Sequence, residues 1–544
     1  MSVQIAIHSL PGNSAFLTPQ DEWSVSASAS ICRKSKLLRN EATGIKAVFR
    51  PLSLFICTCA CLNVHKGKYR LNGSQRTILF LIADTGAGHR SAANAIRNAV
   101  TLISQKEQEE WLERQQTGTE VQMGTPAPPG YRIEIVDVFE EYSRFPLRET
   151  VKLYGPAIRF RPKLYGRVFH LSNQARRFSA METVSTPLIR NGLLRLIASV
   201  KPDVIVSVHP LLNHTTLRAL RDLAIHIPFI TVVTDLVSIH NAWFAPGADA
   251  YIVPTEYARE LAIKQGMDPE RVHVLGMPID PKFTMPLESK QELQRKLGLE
   301  PGLPVILLVG GGEGAMGLRS AVQAISQTRL PVQLLIITGR NQRLYVQLQR
   351  ARSSLHVPAR VFGFVQNMPE MMHASDVIVT KAGPGTICEA LACHLPIILS
   401  GYVPGQEEGN VTYVEESNVG MLAHDSLELI TILRRLLQPE SELLRQELEN
   451  AKRVSRPQAS FDIAKCILGF LPPAGESGVW QTAQGLAQRQ VNSRHWRSRA
   501  SLRTLRHRLP HLAFLRQRVR KLSHLRTQKA IDRSHDQSLD TPKG

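Results

Sequence analysis

The apolar segments of this chain are continuous rather than alternating. TILFLIAD (Thr77–Asp84), PDVIVSVHP (Pro202–Pro210), PFITVVTD (Pro228–Asp235), VILLV (Val305–Val309) and DVIVT (Asp376–Thr380) run through β-branched residues and Leu with no polar residue at every second position. A strand wetted on one face alternates, whereas a strand covered on both faces does not. Continuous strands of this kind require a parallel sheet between two layers of helices, and helical stretches do separate the runs. The fold class is therefore α/β, and at 544 residues the chain is long enough for more than one core.

The strands fall into two sets. The first holds TILFLIAD, YRIEIVDV, PDVIVSVHP, PFITVVTD, AYIVPT and VHVLGMPID, and defines a unit at 75–286. A helical, aromatic and basic stretch, Pro146 to Arg190, interrupts it. The second set holds VILLVGGGEG, VQLLIITG, ARVFGF, DVIVTKAG and LPIILSG, and defines a unit at 303–452. The segment 453–471 contains a helix, ASFDIAKCILGFL, expected to pack back on the first unit.

Both ends differ from this core. Residues 1–74 read as a poorly ordered leader or as sequence upstream of the true start; the alternative is a targeting peptide, because the stretch carries Ser and few acids. Its apolar run LSLFICTCACL is too short to span a bilayer. Residues 472–544 form a basic tail in which Leu502, Leu505, Leu509, Leu512, Leu515, Val519 and Leu522 recur at helical spacing, with a break at Pro510. Such a stripe opposite Arg and Lys suits an anionic membrane surface, and a solvated tail with a partner-binding seam is the alternative. The net charge of +20 agrees with an anionic partner. Nucleic acid is not expected, since Trp496 and Phe514 are nearly the only stacking groups in the tail. The 7 Cys show no C-x2-C pairing, which points to a reducing compartment without disulfides or structural zinc.

Two glycine loops carry the chemistry. DTGAGH (Asp84–His89) follows the first strand but lacks the third glycine of a dinucleotide fingerprint, because Ser91 stands there. KAGPGT (Lys381–Thr386) joins a strand to a helix. Gly383 and Gly385 allow close approach of a ligand, Pro384 stiffens the turn, and the amides opening the helix at Thr386 suit a phosphate or diphosphate. Glu389 lies one turn along and can accept from both hydroxyls of a ribose. Gln406 and Glu407 follow a Pro-Gly turn at the strand ends, where open α/β sheets bind ligands, and an amide beside a carboxylate reads sugar hydroxyls. Together these describe one pocket for diphosphate, ribose and sugar. His89 is a candidate general base, and His209, His214 and Asp235, each at or just after a strand end, are further cleft candidates.

From about Thr77 to Leu471 the chain resembles monogalactosyldiacylglycerol synthase and its bacterial relatives, on the motifs DTGAGH, SVHPLLNH, TVVTDL, WF, LVGGGEG, GRN, TKAGPGTICEAL and LPIILSGYVPGQEEGN. The resemblance implies a GT-B architecture, two Rossmann-like doubly wound domains facing across a cleft. It implies a donor site for a UDP-sugar at Gly311, Gly312, Glu313, Arg340, Lys381, Gly383, Pro384, Gly385, Thr386, Glu389, Gln406, Glu407 and Asn410. It puts catalytic His89 and Asp235 with Gly86, Gly88 and His209 on the acceptor side, and makes Trp243 and Phe244 candidates for acyl-chain or membrane insertion. The reaction so implied is inverting transfer of a hexose, galactose favoured over glucose, to the sn-3 hydroxyl of 1,2-diacylglycerol. No metal or cofactor is expected, in keeping with the lack of an Asp-x-Asp pair in a core loop. Phosphatidate or phosphatidylglycerol, held at Arg159, Arg161, Lys163 and Arg167, are the expected activators. The expected location is peripheral, on the cytoplasmic face of a bacterial membrane or on a plastid membrane. Two departures stand out: Ala87 replaces a glycine of the family loop, and VSIHNAWFAPGADA differs from the family segment after TDL. A UDP-sugar epimerase on the same fold and a non-catalytic lipid- or nucleic-acid-binding protein are the rival readings.

Overall fold

The computed structural model describes residues 75–84, 86–117, 127–152, 161–310 and 317–472. Two six-stranded, all-parallel sheets organise them. The first contains β1 (Arg76–Ile82), β2 (Tyr131–Asp137), β3 (Val204–Ser207), β4 (Phe229–Val232), β5 (Ala250–Val253) and β6 (Val272–Val274), in the order β2-β1-β3-β4-β5-β6. The second contains β7 (Val305–Val309), β8 (Gln333–Ile337), β9 (Ala359–Phe362), β10 (Val377–Thr380), β11 (Ile397–Leu399) and β12 (Gly420–Leu422), in the order β12-β11-β10-β7-β8-β9. The sequence reading has eleven of these strands; it lacks β12, whose three residues are too few to show a period.

The continuous apolar runs are explained by the packing. Ile78, Phe80 and Ile82 of β1 face Ile96, Val100, Ile463 and Ile467, whereas Leu79 and Leu81 face Phe139, Leu193 and Trp243 in a second cluster. Each fully buried aliphatic side chain contributes about 1.5–3 kcal/mol, so both faces of the strand add to the same element. In the second sheet Val305, Leu307 and Val309 pack towards Ile387 and Leu391, and Ile306 and Leu308 towards Val322, Ile325 and Leu433. The helix Ala459–Gly469 crosses to the first lobe and lies against the helix Ala87–Thr117.

Strand order fixes where loops diverge. In the first sheet the chain leaves β1 for β2 on one side and returns to β3 on the other, so the switch point lies between β1 and β3. In the second sheet it lies between β7 and β10. Crevices outside the carboxyl ends of such strands are where open α/β sheets hold ligands. The chain segments that follow β1 and β3 leave from the first switch point, and those that follow β7 and β10 from the second.

Gly192 is demanded by packing. A Cβ on Gly192, inside the helix Ala175–Val200, would stand 2.1 Å from the carbonyl oxygen of Tyr142. Gly192→Ala is expected to lower stability by about 1–3 kcal/mol. Thermal denaturation checks this, and an unchanged midpoint would contradict the packing.

Candidate active site

The first-lobe side of the cleft is an aromatic and imidazole cluster. His89 sits in the first turn of the helix Ala87–Thr117, and His209 follows β3. The switch point brings the two rings edge to face with centroids 4.7 Å apart. Phe139 closes on His209 at 5.6 Å and Trp243 on His89 at 6.2 Å. Nδ1 of His89 shares a hydrogen bond with Oγ1 of Thr234 at 3.1 Å. Burial pushes the His89 pKa down to about 4, against the raising effects of a hydrogen bond to the Val208 backbone and of the Asp84 charge. Burial and the neighbouring His89 put His209 well below the ordinary range as well. Both rings are therefore neutral at pH 7, the form that accepts a proton or a hydrogen bond.

Asp235 follows β4, and its Oδ2 accepts from Nε1 of Trp243 at 2.6 Å. Burial raises its pKa to about 6; the Trp243 hydrogen bond opposes this, and the charge of Glu407 in the other lobe adds to it.

The second-lobe side is built on the KAGPGT turn. Gly383 caps the helix Pro384–Ala392. Pro384 has no N–H, and the Ile387 amide is taken by the Gly383 carbonyl, so Gly385 and Thr386 supply the amides of the helix opening. Nothing lies within 4 Å of a Cβ built on Gly385, whereas one on Gly383 would meet Lys381 Nζ at 3.0 Å. Lys381 pairs with Oε1 of Glu407, whose Oε2 accepts from the Val403 amide at 2.9 Å. Asn410 donates through Nδ2 to the Ala382 carbonyl at 2.8 Å, holding the turn from behind. Glu389 is half-buried, and burial, then the Asp280 charge, lift its pKa to about 7.

The family model for monogalactosyldiacylglycerol (MGDG) synthase matches residues 125–279, and that for the glycosyltransferase family 28 C-terminal domain matches residues 305–463. Monogalactosyldiacylglycerol synthase 3, chloroplastic, of Arabidopsis thaliana is 35% identical over 405 residues, covering 72% of this chain and 81% of the relative. Probable monogalactosyldiacylglycerol synthase 2, chloroplastic, of Oryza sativa subsp. japonica is 34% identical over 407 residues, covering 73% and 81%. The chain belongs to the monogalactosyldiacylglycerol synthase family. As a member of that family it is a glycosyltransferase, and its two parallel sheets form the two lobes of a GT-B fold. Among solved structures, MurG of Acinetobacter baumannii aligns with a TM-score of 0.44 at 15% identity, covering 72% of this chain and 99% of that one. UDP-GlcNAc 2-epimerase of Neisseria meningitidis bound to UDP-GlcNAc aligns with a TM-score of 0.44 at 15% identity, covering 73% and 100%.

The remaining candidates sit in unlike surroundings in this member of the synthase family. Trp243 is 0% and Phe244 3% exposed. Trp243 is held through its indole N–H to Asp235 and through its carbonyl to Asn213, and Phe244 packs on Tyr251. His214, on the helix Asn213–Leu223, lies 3.9 Å from Glu182. Glu407 is buried with its oxygens engaged by Lys381 and Val403. Arg340 is exposed, with its guanidinium 5.6 Å above the Phe364 ring. Gly86 and Gly88 are exposed at the start of the His89 helix. Gly311, Gly312, Glu313, Arg159 and the basic tail lie outside the described residues.

Sequence reasoning missed the contacts that join the lobes. Tyr165, on the helix Pro162–Ser172, donates to Oε1 of Gln406 at 3.0 Å. Ser238 Oγ accepts from the Gly409 amide at 2.9 Å. The position of Thr234 immediately before Asp235 was the signal available for its role beside His89.

Proposed function

We propose that this protein transfers a hexose, galactose in preference to glucose, from a UDP-sugar to the sn-3 hydroxyl of 1,2-diacylglycerol, with inversion at the anomeric carbon. The observation carrying this reading is the cluster of His89, His209, Trp243 and Asp235 at the strand ends of the first sheet, together with the Lys381–Glu407 pair beside the Gly383–Thr386 turn at those of the second. The galactolipid names of the relatives favour galactose and diacylglycerol.

In this reading the diphosphate lies at the Gly385 and Thr386 amides, where the helix dipole and Lys381 stabilise its charge. Glu389 takes the ribose hydroxyls, and Gln406 reads the sugar. The acceptor hydroxyl enters from the first lobe and gives its proton to Asp235 or His89, both unprotonated at neutral pH. Its oxygen attacks the anomeric carbon from the face opposite the departing UDP, so an α-linked donor gives a β-glycoside. Incubation with labelled UDP-galactose or UDP-glucose in diacylglycerol vesicles tests the reading. The expected product is labelled monogalactosyldiacylglycerol; interconversion of the free UDP-sugars without glycolipid would overturn it.

The membrane face is assigned to the helix Pro162–Ser172. Leu164, Val168 and Leu171, 50%, 54% and 46% exposed, form one stripe on it, and Lys163 and Arg167 flank that stripe. An apolar strip beside cations suits an anionic bilayer such as one containing phosphatidate or phosphatidylglycerol. Among the described residues no helix is long and apolar enough to cross a membrane. The relatives' chloroplastic names favour a plastid membrane surface. Val168→Glu together with Leu171→Glu is expected to reduce sedimentation with phosphatidylglycerol vesicles by tenfold or more, a loss of roughly 1.4 kcal/mol at least. Equal sedimentation of the variant and the parent would move the membrane face elsewhere.

A further inference from the structure

We infer that Ser238 is a positioning residue: by capping a helix of the second lobe, it fixes Asp235, three residues earlier on the first lobe, relative to the Gly383–Thr386 turn. This rests on the assignment of Asp235 to the acceptor and of that turn to the diphosphate.

The helix concerned, Glu408–Glu416, begins directly after Glu407. An N-cap side chain ordinarily accepts from the second or third amide of its helix. Glu407 holds the N-cap position but makes no such bond, because its carboxylate is taken by Lys381 and by the Val403 amide. The second amide, that of Gly409, instead donates to Ser238 Oγ at 2.9 Å, so the cap comes from 171 residues away and from the other lobe. Glycine permits that approach, since a Cβ on Gly409 would stand 2.8 Å from Ser238 Oγ and 2.8 Å from Val237 Cγ1. The next residue, Asn410, donates through Nδ2 to the carbonyl of Ala382, immediately ahead of Gly383. One helix start therefore joins Ser238 to the KAGPGT turn.

The residues between Asp235 and Ser238 are held by the same lobe. Leu236 is 2% exposed and belongs to the apolar cluster that contains Ile378, Ile387 and Leu391 of the second lobe, and Val237 packs against that cluster. The Leu236 carbonyl also accepts from Thr255 Oγ1 of the first lobe at 2.9 Å. Apolar packing sets how deeply this segment enters the second lobe but has no direction. The Ser238 hydroxyl supplies the directional contact, and with it the register between Asp235 and the donor turn.

The test uses the full chain with diacylglycerol vesicles and compares the parent with Ser238→Ala, which removes only the hydroxyl. The variant is expected to lose roughly three- to tenfold in kcat, the effect of one hydrogen bond, while the KM for UDP-galactose and the melting temperature stay unchanged. Titration with UDP, whose assigned residues all belong to the second lobe, is expected to return the parental affinity and the parental number of sites. Hydrogen exchange at the Gly409 amide is expected to quicken. A parental kcat in the variant overturns the inference. A loss of kcat matched by an equal loss of UDP sites also overturns it, because Ser238 would then only hold the fold, and so does exchange at Gly409 that is no faster. A parent protein that forms no glycolipid would instead fail the transferase reading first.

Discussion

Replacing His89 by Ala is expected to lower kcat for glycolipid synthesis by about 10²–10⁴-fold, the range for removal of a positioned general acid–base group. The ring stands at the switch point of the first sheet, the place where a ligand bound to that lobe would be reached. It is neutral at working pH because burial pushes it down to about 4. His209, Trp243 and Thr234 fix its plane. Affinity for UDP is expected to stay unchanged, because the residues assigned to the diphosphate belong to the other lobe. Steady-state kinetics with a UDP titration separate the two effects. Full activity in the variant would remove His89 from the mechanism, and a lost affinity for UDP would place the nucleotide on the wrong lobe.

The pH profile is the second large effect. Asp235 has its pKa lifted to about 6, first by burial and further by Glu407, while the indole N–H of Trp243 works against the lift. The anion is the working form whether Asp235 takes the proton itself or supports transfer to His89. Activity is therefore present above the pKa and lost as pH falls through it, giving an acid limb of kcat/KM near pH 6. Glu407→Gln removes the negative charge that raises Asp235 and frees the Lys381 cation, and both changes favour the Asp235 anion. The limb is then expected to move to lower pH even as the overall rate falls. A limb near pH 4 in the parent protein would mean that only His89 titrates in the reaction. A limb that stays in place in Glu407→Gln would show that the two carboxylates are not coupled in the working enzyme.

These effects were unequally legible in the sequence. The parallel sheets were legible because burial on both faces removes the alternation of polar residues, a constraint every strand carries locally. The KAGPGT turn was legible because its ligand would touch consecutive backbone groups. Trp243 and Phe244 were not: an aromatic pair after a strand looks the same whether it inserts in lipid or fills a core. The indole bond to Asp235, eight residues earlier, places Trp243 in the core through a fold of the loop that has no period. The exposed stripe of Leu164, Val168 and Leu171 was hidden for the converse reason, since the helical spacing that marks it usually denotes a buried face. Tyr165 and Gln406 meet only after both lobes have formed, so nothing near either residue announces the contact. β12 is too short to carry a signal and is defined by its pairing with β11.

The central claim is that the second lobe holds the sugar nucleotide and the first lobe holds the alcohol. A crystal structure of the protein with UDP bound tests it most directly. The diphosphate is expected against the Gly385 and Thr386 amides, with Lys381 beside it and the ribose at Glu389. UDP lodged at Gly86–His89 in the first lobe, or a Gly383–Thr386 turn filled by protein side chains in the complex, would contradict it.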